Sequence, residues 1–495
     1  MTLRKNPILL ILSVQFLLIF ILSSTANDFS SDMLENLLWG KELAFAYDKH
    51  PPFFAWTSYL TVKLFGGNLL FYHILTPLNQ VALLWFIYLL GKKIFNPEKA
   101  LLAVVLAQGI IFHVFYYKFN GNTANLGFFG AIYFVFYKII KEENYKLFPV
   151  LGALCGIIML TKYSAILLIG ILGAIGIFTK EGRKAMKSLY LIPAILVFFA
   201  IISPNLYEVF VLKNDGAIRY LTTQSLESNR PWYEEILFLF KLLVFLLPML
   251  IAFIVIKKGV RKKFQTNFLK KLKGDLDLKI LLSFGLAPFI IVLFYIIIFK
   301  ASVGAFWLSM FCGPISLLLL YLFEVKKNAL QMAIKIIYSI NFFLFLIYFI
   351  AALGNPEDDT KGIGNFAKEV SEMHSKEAEI KDFICNDDRR FCATAVIYGT
   401  DYSKIQMRIN RWENPFEVFN KREEKPQMVI IIGEDDKIDL PDYTLTKYKK
   451  TFSKYHKVKF FEKLFINPPK FLKKEFQKMQ RPIEIILTVG IKKDE

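Results

Sequence analysis

Hydrophobic positions in this chain gather into long unbroken runs instead of alternating with polar ones. A helix needs about 20 apolar residues to cross roughly 30 Å of hydrocarbon. Runs that approach or reach that length recur near 7–23, 69–91, 100–117, 124–140, 147–161, 163–178, 188–206, 235–256, 280–299, 304–323 and 331–352. The pattern predicts an all-α polytopic membrane protein with about eleven transmembrane helices in residues 1–353. Only Thr161-Lys162-Tyr163 separates the runs 147–161 and 163–178, so a broken or re-entrant helix fits there as well as two spans. From Gly354 the pattern changes. Helical charge spacing over Phe366 to Phe383, with apolar runs at Ala393–Tyr398 and Met428–Ile432, predicts a small α/β domain over 354–495.

The polar intervals set an orientation. Lys92-Lys93, Lys138 to Lys146, Lys180 to Lys187, Lys257 to Lys279 and Lys326-Lys327 all fall on one side of the membrane when the N-terminus is inside. That is the positive-inside arrangement, and it puts loop 24–68 and the whole tail outside. Lys257 to Lys279 alone holds nine Lys or Arg against two Asp. The net charge of +19 therefore reads as topology and gives no reason to expect a nucleic-acid partner. The first run follows Arg4-Lys5, and no convincing small-x-small cleavage site comes after it, so it reads as an uncleaved signal anchor. Hydrophobic residues make up 55% of the 495, and 50 are Phe, more than a water-soluble core could absorb. Of the four cysteines, Cys155 and Cys312 sit in apolar runs, while Cys385 and Cys392 lie close together in the tail, where an outside location would let them pair.

Candidate chemistry concentrates in loop 24–68. Asp28, Asp32 and Glu35 lie at the outer end of the first run, followed by Tyr47-Asp48-Lys49-His50-Pro51-Pro52. Ionisable groups held against a membrane face are costly and usually functional, although outside loops carry solvated charges in any case. Pro51-Pro52 marks a point where a helix can begin but not extend backwards. Lys162 stands in an otherwise apolar stretch. It is either a snorkelling lysine at a helix end or a cation kept for an anion at membrane depth. His50 reads as packing in the Pro-Pro turn, because His73 and His113 give no metal-ligand spacing with it. Asp32, Glu35 and Asp48 could hold a divalent cation, and the metal question stays open. There is no Walker P-loop and no Gly-x-Gly-x-x-Gly after a strand.

The order Asp32-x-x-Glu35-x-x-x-Trp39, then Tyr47-Asp48-Lys49-His50-Pro51-Pro52, Trp56 and Leu64-Phe65-Gly66 resembles the first periplasmic loop of the GT-C glycosyltransferases. Within them it is similar to the protein O-mannosyltransferase and lipid A aminoarabinose transferase group. Leu160-Thr161-Lys162-Tyr163 resembles that group's Leu-Thr-Lys element, and Asn120 to Phe129 resembles its loop between the third and fourth spans. Asn214-Asp215-Gly216 with Arg219, and later Lys300 and Trp307, are similar to further outside elements. The likeness runs over roughly residues 1–350 and is strongest in the first loop.

The resemblance implies an inverting, monomeric transferase in a bacterial inner membrane. It would use a polyprenyl-phosphate-linked sugar and, as acceptor, lipid A or another envelope glycolipid on the periplasmic side. A protein acceptor, or a carrier or flippase for lipid-linked sugars, are the rival readings. Asp32 would be the base, with Asp28 its rival, and Asp48 would orient a substrate. Lys162, Lys49 and Arg219 would meet the donor phosphate, and Glu35, Tyr47, His50, Asn120 and Asn122 would contact substrate. No cofactor is implied beyond a divalent cation at most. One departure matters. Many relatives carry an Asp after the third span, whereas this chain has Asn120-Gly121-Asn122-Thr123, whose amides can bind sugar hydroxyls but cannot act as a base.

Overall fold

The computed structural model describes residues 6–26, 31–47, 49–66, 69–111, 118–212, 216, 218–219, 222, 233–261, 272, 274–301, 303–353, 359–374, 380–386, 392, 395–397, 406–408, 426–433, 440–452 and 483–493. The helices are α1 Pro7–Ala26, α2 Ser31–Glu42, α3 Phe53–Leu64, α4 Leu75–Ile94, α5 Pro97–Ala107, α6 Gly121–Lys141, α7 Phe148–Thr161, α8 Ile166–Phe178, α9 Lys180–Met186, α10 Leu191–Phe210, α11 Tyr233–Ile256, α12 Leu276–Gly285, α13 Ala287–Phe299, α14 Ser309–Leu322, α15 Ala329–Leu353 and α16 Asp359–Met373. They form two compact units. The first comprises Met1–Leu22, Ala44–Phe54 and Phe65–Leu346; the second comprises Ser23–Leu43, Ala55–Leu64 and Ile347–Glu495.

Among the described residues seven helices are long and apolar enough to cross a membrane, or nine if each of two bent pairs counts as one span. The bent pairs are Tyr163–Phe178 with Lys180–Met186, turned through 103°, and Leu276–Gly285 with Ala287–Phe299, turned through 42°. These nine coincide with nine of the runs read from the sequence. The remaining two runs correspond to the shorter helices α5 and α7. Helix starts follow local chemistry. Asn96 caps α5 ahead of Pro97 and accepts the Lys99 N–H at 2.9 Å, and Asp275 caps α12 by accepting the Leu278 N–H at 3.1 Å, as short polar side chains do for otherwise orphaned amides.

The run expected as one span over 100–117 leaves the α-helix after Ala107. Gly109 packs against α11 so closely that a Cβ there would stand 2.7 Å from the Met249 nitrogen and 2.5 Å from Ile337. Pro248 inside α11 has no N–H and disrupts the ladder around it; the neighbouring Met249 N–H donates to the Gly109 carbonyl at 3.1 Å. Two interrupted helices thus complete each other. Gln108, 1% exposed, adds side-chain ties: it donates to Gln15 of α1 at 3.0 Å, accepts from Tyr338 of α15 at 3.2 Å, and its carbonyl accepts from Asn341 at 3.1 Å. At the basic end of the bundle, strand β1 Lys257–Val260 pairs antiparallel with β2 Phe323–Val325, joining the ends of α11 and α14.

In the second unit α2 and α3 meet at Gly40, where any side chain would strike the Ala55 carbonyl and Tyr59. The helix after Pro51-Pro52 begins at Phe53, as the proline pair predicts. The tail forms a five-stranded mixed sheet from β3 Ile380–Asn386, β4 Gln406–Arg408, β5 Met428–Gly433, β6 Tyr443–Phe452 and β7 Ile483–Lys492, in the order β4-β3-β5-β7-β6. β3 is parallel to β4 and β5, while β7 is antiparallel to β5 and β6. β5 lies centrally, buried along Met428 to Ile432. Two expectations change. The stretch from Phe366 to Phe383 is not helical throughout, because α16 ends at Met373 and Phe383 lies in β3. Within Ala393–Tyr398, the residues 395–397 are helical instead of extended, since a short apolar run does not distinguish a buried strand from a buried helical turn. Cys385 and Cys392 are disulfide-bonded, and Cys155 and Cys312 are free and buried.

Candidate active site

Lys162 lies at the junction of α7 and α8, where the helix stops. Its backbone is extended (φ −160°, ψ 125°), its N–H still reaches the Ile158 carbonyl at 2.9 Å, and its own carbonyl accepts from Ala165 as a 3-10 turn opens α8. The side chain is only 7% exposed. Its ammonium donates to Asn122 Oδ1 at 2.7 Å and lies 4.5 Å from the centre of the Trp307 ring. Asn122 meets the ammonium through a charge-assisted hydrogen bond, and Trp307 meets it through a cation–π contact.

Asn122 is fixed by the start of α6. Asn120 caps that helix, its Oδ1 accepting from the Asn122 N–H at 2.9 Å and the Thr123 N–H at 3.2 Å, while Thr123 Oγ1 accepts the Asn120 N–H at 2.9 Å. This reciprocal cap satisfies orphan amides at the helix end. Gly121 lets the helix approach the break: a Cβ there would lie 3.4 Å from the Thr161 carbonyl and 3.7 Å from Lys162 Cδ. Asn120 and Asn122 are both buried, so the loop without a carboxylate serves as the seat of Lys162.

The first-loop segment 44–54 is pinned to the far end of α10. The Phe45 N–H donates to Glu208 at 2.7 Å, its carbonyl accepts from Asn205 at 2.6 Å, and Tyr163, next to Lys162, donates to the Asn205 amide at 3.0 Å. Asn205 and Glu208 are residues that the sequence reading missed. The signal available was two polar side chains three apart near the end of an apolar helix, where such groups seldom stand idle. Beside them a cavity of about 300 Å³ is lined by Met159, Leu160, Tyr163, Asn205, Val209 and Ile218 among others. It is apolar apart from the Tyr163 and Asn205 side chains.

In the same unit Tyr47 is buried and Lys49 half-buried; His50 is half-buried with its ring edge-on to Phe54 at 5.1 Å, in agreement with a packing role. Arg219 is exposed. Lys300 ends α13 with a left-handed backbone (φ 49°). In the second unit Asp32 is half-buried in the first turn of α2, where a carboxylate suits the positive end of the helix, and Glu35, one turn on, is 3% exposed. Asp28, Asp48, Asn214 and Asp215 lie outside the described residues. Among the described residues no group of three or more His, Cys, Asp or Glu could hold a metal ion.

The family model for dolichyl-phosphate-mannose-protein mannosyltransferases matches residues 49–207. No curated protein matches the sequence. Among solved structures the chain is similar to ArnT from Cupriavidus metallidurans in the apo state, with a TM-score of 0.60, 12% identity and 98% of each chain covered. It is likewise similar to the same protein bound to undecaprenyl phosphate, with a TM-score of 0.57, 12% identity, and 86% of this chain and 92% of that chain covered.

Proposed function

We propose, on the premise that this chain belongs by its fold to the GT-C glycosyltransferase superfamily, that it transfers a sugar from a polyprenyl phosphate to an envelope glycolipid such as lipid A. The single observation that carries this reading is Lys162, a buried lysine at a break between two apolar helices, its ammonium beside Asn122 and Trp307. An undecaprenyl-phosphate ligand in the similar Cupriavidus structure supports a lipid phosphate as the anion it meets. The cavity of about 300 Å³ beside Tyr163 supports the start of an isoprenoid chain running between α7, α8 and α10.

The reaction is an inverting displacement. An acceptor hydroxyl oxygen attacks the anomeric carbon, the bond from that carbon to the phosphate oxygen breaks, and the hydroxyl proton passes to a carboxylate. Asp32 is that base in our reading, with Asp28 its rival and Asp48 orienting a substrate. The electron pair of the broken bond leaves on the lipid phosphate, where Lys162 meets the developing charge, as cationic donors placed in advance do at low dielectric. Lys49, and at the surface Arg219, assist with the phosphate. Glu35, Tyr47, His50, Asn120 and Asn122 shape the substrate site.

The membrane part, residues 1–353, holds this machinery with the N-terminus cytoplasmic, and residues 354–495 lie in the periplasm of a bacterial cell. The alternation of basic clusters and the Cys385–Cys392 disulfide, a bond of oxidising compartments, both support that orientation. The chain acts as a monomer. A protein acceptor is the second reading, favoured by the match to the protein mannosyltransferase family model. Mass spectrometry of lipid A from cells with and without the gene tests the first reading. Loss of a glycosyl modification when the gene is removed is expected, and unchanged lipid A with a lost protein glycan would move the assignment to the second.

A further inference from the structure

A second cavity, of about 420 Å³, lies at the other end of the same helices. Its walls come from α6, α7, α8, α9 and α10 and are apolar, with Phe148, Leu172, Gly173, Ala185, Ile195 and Phe198 among them. It opens sideways, since Ile195 and Phe199 on its lining are 48% and 52% exposed. An apolar opening of this kind stays dry, so in a bilayer a hydrocarbon chain fills it.

What distinguishes this opening from an ordinary gap between helices is the short helix α9. It turns through 103° from α8, the turn fixed by Thr179, which donates to the Ile175 carbonyl at 2.8 Å and accepts the Gly182 N–H at 2.9 Å. Gly182, Ala185 and Met186 face the cavity. Lys180, Arg183 and Lys184, with Lys187 just beyond, are exposed, four cations against the single carboxylate Glu181 within residues 180–187. Arg183 is committed to the Ile177 carbonyl at 3.0 Å and Lys184 to Glu143 at 2.5 Å. The side chains of Lys180 and Lys187 have no hydrogen-bond or ion-pair partner among the described residues. One short segment therefore presents an apolar wall to the cavity and uncommitted cations to the surface, which is the complement of an anionic amphiphile.

We propose that this cavity and the basic edge of α9 form a binding site for an anionic diacyl phospholipid, with one acyl chain between α7, α8 and α10 and the phosphate head on Lys180 and Lys187. The inference is independent of the transferase reading. Gly173 supplies the test, because a Cβ there meets no atom within 4 Å, and Gly173→Leu fills the cavity from within. Native mass spectrometry of the full chain, with phosphatidylglycerol and phosphatidylcholine supplied in equal amounts, reads the outcome. Wild type should retain phosphatidylglycerol about tenfold over phosphatidylcholine. Gly173→Leu should lose the retained lipid, and the pair Lys180→Gln with Lys187→Gln should keep a lipid but lose the preference. Equal retention of both lipids by wild type, or undiminished phosphatidylglycerol in a folded Gly173→Leu protein, overturns the proposal. Should Gly173→Leu fail to fold, the charge variant decides alone, and an unchanged preference there refutes the site.

Discussion

Replacing Lys162 by methionine keeps the length of the side chain and removes its charge, so it separates the phosphate role from packing. The ammonium donates a hydrogen bond to Asn122 at 2.7 Å and makes a cation–π contact with Trp307 at 4.5 Å. A bond to a charged group contributes about 1.5–3 kcal/mol, and a desolvated cation–π contact about 2 kcal/mol. Against these stands the cost of keeping an ammonium in a dry site, so the folded state should tolerate Lys162→Met with little change in melting temperature. The transition state should not. Removing one preorganised donor from a developing oxyanion costs about 2.7–4 kcal/mol, or roughly 10²–10³ in turnover. The assay is single-turnover transfer from a synthetic polyprenyl-phosphate sugar by detergent-purified protein, with a thermal melt beside it. Asn122→Asp sharpens the test: it introduces a carboxylate 2.7 Å from the ammonium position, whose negative charge should weaken polyprenyl-phosphate binding while the fold holds. A folded Lys162→Met protein turning over within about threefold of wild type would falsify the phosphate assignment, since the effect worked above is at least about 10²-fold.

Other outcomes follow from the same geometry. Asp32→Asn should abolish transfer without loss of folding, and normal turnover of that variant would remove Asp32 as the base. Gln108→Leu should lower stability by about 1–3 kcal/mol, because it deprives Gln15 and Tyr338 of buried hydrogen bonds; an unchanged denaturation midpoint in mixed micelles would contradict this. Cys385→Ser with Cys392→Ser should destabilise the tail by about 2 kcal/mol, as expected for opening a short loop, with faster proteolysis of residues 354–495 as the readout. Lys99 is held down to about 8 by burial and by Arg261, against an upward pull from Glu324. The unfolded chain then keeps a proton above pH 8 that the folded chain has released, so stability should rise as pH goes from about 8 to the ordinary lysine range and fall on the way back. Lys99→Met should flatten that slope in pH-dependent melts.

Much of the fold was legible because its causes are local. The break at Thr161-Lys162-Tyr163 announced itself as one lysine in an apolar run, the start of α3 as a proline pair, and β5 as a short apolar segment. In the candidate site, Lys162 stood out because a cation within an apolar run is costly. What stayed hidden depends on partners far away in the chain. Gly109 reads as one more small residue in a hydrophobic run until Met249 arrives beside it. Asn205 and Glu208 hold backbone groups of Phe45, and main-chain atoms leave no compositional trace. Asn122 resembled a sugar contact by its amide, and its bond to Lys162 became evident only once the two helix ends were placed together.

The shared bond between Gly109 and Met249 also constrains how the protein can be made. The carbonyl emerges from the ribosome 140 residues before its donor, a gap of about 7–28 s at common bacterial elongation rates of roughly 5–20 residues per second. Throughout that interval the end of α5 carries an open acceptor, which cannot be left facing lipid. The nascent N-terminal helices must therefore wait in a wet or chaperoned environment until α11 is inserted, and truncations that stop before Pro248 should be degraded in place of accumulating as a smaller membrane protein.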